Sequence, residues 1–235
     1  MAIDCELSPL MARIIGVFKS LLSLFLKSTC PLCQRACDTE LCRYCQGQLE
    51  ACQWPNPRQG WQGDLPRFIW GQYEGKLKQA IAAFKYDNHP ELGDFLGYLL
   101  GESWLKSAML KNLPALTLVP IPLHPHKLQE RGFNQAERLA QGFSQITRYP
   151  LLAQGLVRVK DTVPLFNLKP AQRQATLDQA LQVGKSLKQV RAKRPILLVD
   201  DIYTTGTTAL EAQKILQAQG FTVAGIVVIA SPRFS

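Results

Sequence analysis

Residues 196–208 constrain this chain more than any other stretch. Ile196-Leu197-Leu198-Val199 is an unbroken aliphatic run, the composition of a strand buried on both faces. Two carboxylates follow, Asp200-Asp201, and then Ile202-Tyr203-Thr204-Thr205-Gly206-Thr207-Thr208. Thr207–Gln219 reads as a helix with Gly220 as its stop, and Phe221–Ala230 reads as another strand. Strand, turn, helix and strand in 35 residues make a βαβ unit, so the two strands are parallel and the crossover right-handed. The fold class that follows is α/β.

Open α/β sheets bind ligands at the carboxyl ends of their strands, in the turn leading to the next helix. Here Gly206 lets the backbone curl so that consecutive N–H groups face inward as an anion nest. Thr204, Thr205, Thr207 and Thr208 add hydroxyls, and the helix presents its positive end. Such a set of donors calls for a phosphate. No lysine stands in the turn and no G-x-x-x-x-G-K-[ST] occurs in the chain, which excludes a nucleoside-triphosphate P-loop. Asp200 and Asp201 would repel a bare phosphate. They fit a ligand that also carries vicinal hydroxyls, as a phosphorylated ribose does. A Mg²⁺ ion bridging those hydroxyls and a pyrophosphate would ease the charge conflict.

With 235 residues the chain accommodates one substantial domain and a small appendage. The expected division is an N-terminal helix and cysteine unit over 1–53 and a main domain over 64–235, joined by the Pro/Gly-rich Trp54–Gly63 as linker or loop. A short strand is expected from Phe68, then a helix with Leu77, Ile81 and Phe84 on one face. Leu92–Leu105 and Gln135–Ile146 read as helices, and Leu116–Val119 as a strand followed by a loop. Ala175–Val190 reads as a helix with Leu177, Leu181 and Leu187 inward. Ile14–Leu26 is too short to span a bilayer and lacks a positive flank before it, so it is expected to dock on its own protein or touch a membrane surface.

Six of the seven cysteines fall between Cys5 and Cys45, and the last is Cys52. A secreted disulfide framework would spread through the fold, so the clustering points to a local metal site in a reducing cytoplasm. Cys30-Pro31-Leu32-Cys33 and Cys42-Arg43-Tyr44-Cys45 are two C-x₂-C knuckles, and together they can wrap four thiolates around one structural Zn²⁺. Cys37 is either spare or a substitute ligand. A redox dithiol is the competing reading of the pairs.

The string Ile196–Thr208 resembles the 5-phosphoribosyl-1-pyrophosphate (PRPP) signature of type I phosphoribosyltransferases. The resemblance implies Asp200 and Asp201 on the ribose hydroxyls, and Thr204, Thr205, Gly206, Thr207 and Thr208 around the 5-phosphate. With cysteine knuckles ahead of it, the chain is similar to the ComF-type competence proteins and the related GntX group. Tyr73-Glu74-Gly75 through Phe84-Lys85-Tyr86, Val119-Pro120-Ile121-Pro122 and Arg131-Gly132-Phe133-Asn134-Gln135 extend the likeness from about Leu21 to Pro232. It implies a type I phosphoribosyltransferase-like fold: a central, mostly parallel sheet flanked by helices, with a small N-terminal zinc-knuckle unit. Val119–Pro122 would hold the pyrophosphate-loop position. Arg131 is then a phosphate ligand or a surface arginine capping the next helix, and Lys85 faces the ligand or solvent. Cys52 alone stands where the family often has a second pair. Leu165 and Gln174-Ala175 replace the expected Gln and Asn in the Thr162–Arg173 stretch, so no ligand contact is assigned to that loop.

Charge separates the halves. Residues 1–110 balance 11 Lys/Arg with 11 Asp/Glu, whereas 111–235 carry 16 against 7, the whole net charge of +9. A basic half suits a polyanionic partner. Lys185, Lys188, Arg191, Lys193 and Arg194 cluster before the signature strand, although the aromatic platforms of a single-strand groove are sparse there and a solvated helix end reads equally well. Three functions remain open. The resemblance implies a cytoplasmic competence protein for uptake or processing of transforming single-stranded DNA, alongside other DNA-processing proteins. A nucleotide-salvage phosphoribosyltransferase would instead displace Mg-pyrophosphate from PRPP with a base, Asp200 and Asp201 giving catalytic electrostatics. The third reading is a non-catalytic docking module that senses a phosphorylated sugar. Transfer would need a base-binding segment, and none is recognisable in the sequence.

Overall fold

The computed structural model describes residues 29–107, 113–158, 181–189 and 194–232. The apolar segment Ile14–Leu26, the departures at Leu165 and Gln174-Ala175, and Arg191 and Lys193 of the basic cluster lie outside these residues. The chain divides into two compact units, Met1–Gln46 and Gly47–Ser235. Helix α1 (Arg43–Glu50) contains the division. In the first unit the chain reverses just after Cys30. Thr29 and Ala36 form an antiparallel bridge, Cys30 N–H donates to Arg35 O (2.8 Å), and Gln34 takes φ 60°.

The second unit is built on β1 (Arg67–Gln72), β2 (Thr117–Pro120), β5 (Ile196–Ile202) and β6 (Val223–Ser231), in the order β1-β6-β5-β2. Every neighbouring pair is parallel, as the βαβ reading of the signature requires. Helix α7 (Thr207–Ala218) connects β5 to β6, and Gly220 follows it at φ 76°. Ala209, Ala212 and Leu216 of α7 share one core with Ile196, Leu198, Ile226 and Val228 of the sheet. The strands are buried on both faces because the opposite face is covered too. There α3 (Glu91–Lys106) and α5 (Gln135–Thr147) bring Trp104 against Phe68 and Phe143, at ring centroid distances of 5.1 and 6.0 Å. A central parallel sheet flanked by helices is the fold class read from the sequence.

Those two helices cross at short range because glycines line the contact. Gly93, Gly97 and Gly101 recur at four-residue spacing on α3. A Cβ at Gly97 would overlap the Leu139 carbonyl, and one at Gly142 of α5 the Asp94 carbonyl. On α3, Leu92, Leu96 and Leu100 are buried but Phe95 and Leu99 only half-buried, so its inward face is partly a glycine seam.

Two elements depart from expectation. Leu181–Val183 is strand β4, paired antiparallel with β3 (Leu156–Arg158), where a helix over Ala175–Val190 was read. Leu181 and Val183 are buried and Gln182 between them is exposed, which is the alternation of a strand. Gly184 then passes so near the Gln154 carbonyl that no side chain fits, and only the single turn α6 (Lys185–Lys188) follows. The loop expected after β2 contains helix α4 (Pro125–Arg131), with Pro at its first position.

Irregular segments cover the outer strands. Trp54 N–H donates to Trp70 O, Ile69 N–H to Pro57 O and Gln72 N–H to Cys52 O, each at 2.9 Å. On the far strand, Leu118 N–H donates to Pro150 O (2.8 Å) and Leu152 N–H to Leu118 O (2.9 Å).

Candidate functional site

The site forms because β5 outruns β2. Pro120 is the last residue of β2 and pairs with Val199, after which Ile121 N–H donates to Val199 O (2.9 Å) and the chain turns away. Asp200 and Ile202 continue to pair with Val228 and Ala230 on the β6 side alone. Successive strand residues face opposite sides, so the two acids diverge. Asp200 lies on the α7 side, where the charges of Arg158 and buried Glu211 reach it or its neighbours. Asp201 lies on the other side, in an ion pair with Lys85 (Nζ–Oδ2 2.5 Å) at the end of α2 (Gly75–Tyr86); both side chains are largely buried, 15% and 13% exposed. Burial and the adjacent Asp201 charge push the Asp200 carboxyl up to about 7, against the Asp201 N–H (2.8 Å from Oδ1), Lys85 and Arg158.

Beyond the acids the backbone curls as its residue types demand. Gly206 stands at φ 72°, the left-handed region, at the start of α7. Its missing side chain leaves room for the Tyr203 ring, with Arg67 over the other part of that ring at 5.4 Å. The first helical bond of α7 is Leu210 N–H to Gly206 O, so the N–H groups of Thr207–Ala209 precede the ladder, and these residues line a cavity of about 50 Å³. Thr204–Thr208 line it, and the Thr205 and Thr207 hydroxyls bond each other at 2.8 Å. The residues that the sequence reading named for an anion nest thus line one small cavity.

A second cavity of about 220 Å³ adjoins the nest, sharing Asp200 and Thr208 with it. Lys85, Lys127, Arg131 and Arg158 bring four cations to its lining, against Asp200 and Asp201. Arg131 ends α4 and lies over the Tyr86 ring at 5.2 Å. It does not cap the next helix: Asn134 does, accepting from Ala136 N–H (3.2 Å) while its Nδ2 donates to Ile121 O (3.1 Å). Of the residues read from the sequence, the structure therefore brings Lys85, Arg131, Asp200, Asp201 and Thr208 around one cavity, with Thr204, Thr205, Gly206 and Thr207 in the adjoining nest.

Three polar lining residues carry no signal of their own in the sequence: Lys127, Gln135 and Arg158. Lys127 is one of many scattered lysines, and Gln135 stands in the Arg131–Gln135 motif beside the more conspicuous arginine. Arg158 ends a strand too short to signal itself, and burial pulls its guanidinium below the usual range, opposed by Glu211 and Asp200. A larger cavity, about 590 Å³ between the 53–58 segment, β1 and α3, shares no residue with either.

In the first unit, the sulfurs of Cys30, Cys33, Cys42 and Cys45 all lie within 4.8 Å of one another, with Cys33 and Cys42 at 3.5 Å. A tetrahedral Zn²⁺ with Zn–S bonds of about 2.3 Å sets its sulfurs about 3.8 Å apart, so the donor set and spacing fit one zinc ion. Burial raises the Cys30 thiol, but N–H donors at Cys42 and Leu32 and the neighbouring thiols outweigh it and hold it near 6. Cys45 is pushed to about 12 by burial and its sulfur neighbours. Cys37 stands apart, its sulfur bonded to Thr39 O at 3.1 Å. No helix among the described residues is long and apolar enough to cross a membrane.

No family model matches the chain. Competence protein F of Haemophilus influenzae is 32% identical over 155 residues, 65% of this chain and 66% of its own. Competence protein ComFC of Streptococcus pneumoniae is 30% identical over 201 residues, 83% of this chain and 76% of its own. The DNA utilization protein YhgH of Escherichia coli is 26% identical over 149 residues, 63% and 64% of the two chains. The chain thus spans about two thirds to three quarters of these relatives. Among solved structures, the adenine phosphoribosyltransferase of Leishmania donovani aligns over 81% of this chain and 80% of its own, at 14% identity and a TM-score of 0.37.

Proposed function

Because the chain belongs to the ComF family of competence proteins, we propose that it handles transforming single-stranded DNA and carries a PRPP-binding site at the carboxyl end of β5. One observation carries the second half of this reading: the anion nest and the cation-lined cavity meet at Asp200 and Thr208, where β5 leaves its two acids. The 5-phosphate takes the N–H groups and hydroxyls of Thr204–Thr208. The acids accept from the ribose hydroxyls. The pyrophosphate takes Lys85, Lys127 and Arg131; a Mg²⁺ ion bound with it would supply charge neutralisation, with Asp200 and Asp201 as the nearby acids. Lys85, which pairs with Asp201, exchanges that carboxylate for phosphate oxygens as the ligand enters.

The experiment is calorimetric titration of Mg-PRPP into the native protein and into Asp201→Asn. Binding that collapses in the variant supports the pocket; absence of binding in both rejects it. The DNA half rests on the relatives' names and on the basic half, of which Lys185, Lys188 and Arg194 are exposed. Binding of an oligonucleotide should fall steeply with salt, with a log–log slope that shrinks when Lys185 and Lys188 become alanine. A flat salt response would remove direct DNA contact from the reading.

A further inference from the structure

Gln135 and Arg158 have no task in the scheme above, yet both line its cavity. Gln135 is only 2% exposed, and its Nε2 has no hydrogen-bond partner among the described residues. The Nε of Arg158 is likewise sealed from solvent and unpartnered there. Buried donors nearly always have an acceptor, because leaving one unmade forfeits its hydration. Two in one cavity wall point to an acceptor that arrives with a ligand.

The surroundings say what kind. Ile121 and Ala136, 5% and 2% exposed, and Pro122 supply apolar wall beside the two donors. A phosphate pressed against that wall would lose its water without full compensation, and exposed Lys127 and the threonine nest already serve phosphates better. A flat ring with neutral carbonyl oxygens suits the wall and the donors together. Asn134, bonded to both Ile121 O and Ala136 N–H, holds Gln135 at that wall.

We propose that Gln135 and Arg158 recognise the ring carbonyls of an oxo nucleobase, placed beside the phosphoribose, and disfavour amino bases. The position of the ribose rests on the phosphoribosyl reading. The preference comes chiefly from Arg158. An amide can turn over and offer its oxygen to an amino group, but a guanidinium has donors only, so an exocyclic amino group in place of the contacted carbonyl would set N–H against N–H. Asp200, which lines both this cavity and the threonine nest, links the base end to the sugar end.

The test is calorimetry on the full chain with UMP and IMP against CMP and AMP, and with Mg-PRPP in parallel. The native protein should bind the oxo nucleotides about ten- to a hundredfold more tightly than the amino ones. Gln135→Met, similar in length but without the amide, should lose about tenfold for UMP and IMP and leave Mg-PRPP unchanged. Arg158→Lys should narrow the oxo-over-amino ratio. Equal binding of all four nucleotides by native protein, or no nucleotide binding, overturns the proposal without any variant. Equal loss of UMP and Mg-PRPP in Gln135→Met also overturns it, since that marks a merely structural glutamine. Oxo preference without Mg-PRPP binding would uphold the base site and reject the PRPP reading; Mg-PRPP binding without preference would do the reverse.

Discussion

Alanine at position 206 would strike the phosphate turn twice. At φ 72° an L side chain costs about 1–2 kcal/mol, since only glycine enters the left-handed region freely. The new Cβ would also overlap the Tyr203 hydroxyl and crowd its ring. That ring is half-buried, packs against the sheet core and lies under Arg67 at 5.4 Å, so its retreat disturbs a packed neighbourhood, typically about 1–3 kcal/mol. The two terms sum to about 2–5 kcal/mol. A unit of this size loses about 2–4 °C of melting temperature per kcal/mol, so Gly206→Ala should melt about 4–20 °C lower. Thermal melts of the two single variants and of Tyr203→Ala/Gly206→Ala separate the causes. Removing the ring relieves the overlap but not the dihedral, so the double variant should be more stable than the singles' sum by more than about 0.5 kcal/mol. A Gly206→Ala protein melting within about 2 °C of native would refute the dihedral argument. Additivity of the pair would refute the packing argument.

The raised Asp200 carboxyl gives a pH signature. Its pKa, about 7 in the fold against 3.8 for the free side chain, makes stability drain as pH rises from about 4 through 7, and Asp200→Asn should therefore melt higher than native at pH 8 but not below pH 4. Ribose hydroxyls need the ionised form, so Mg-PRPP affinity should fall by up to about tenfold per unit below pH 7, and a pH-independent titration would contradict this. For the cysteine unit, protein purified under reducing conditions should hold one zinc per chain by metal analysis. Cys33→Ser and Cys42→Ser should release it, and zinc-free native protein would remove the assignment.

How far the sequence reveals the fold follows from how local each signal is. Ile196–Thr208 was legible because strand, acids, curl and helix start are consecutive, and every constraint on them acts within a few residues. The alternation of Leu181 and Val183 was not, because Leu181 also serves a helical reading with Leu177 and Leu187. What separates the two readings is Gly184 passing a backbone carbonyl 30 residues upstream. The glycines of α3 read as gaps in an apolar stripe, and only the crossing with α5 turns them into contacts. Gln135 and Arg158 are ordinary residue types whose meaning is burial without a partner, a property of the folded cavity alone.

The covered outer strands carry a consequence for assembly. A parallel sheet whose two end strands spend their amides and carbonyls on Cys52–Pro57 and Pro150–Leu152 has no hydrogen-bonding row to lend to another chain. Among the described residues, a partner strand would find no free row at either edge of this four-stranded sheet. It would dock through side chains instead, on surfaces that substitution can change one residue at a time without unravelling the core beneath.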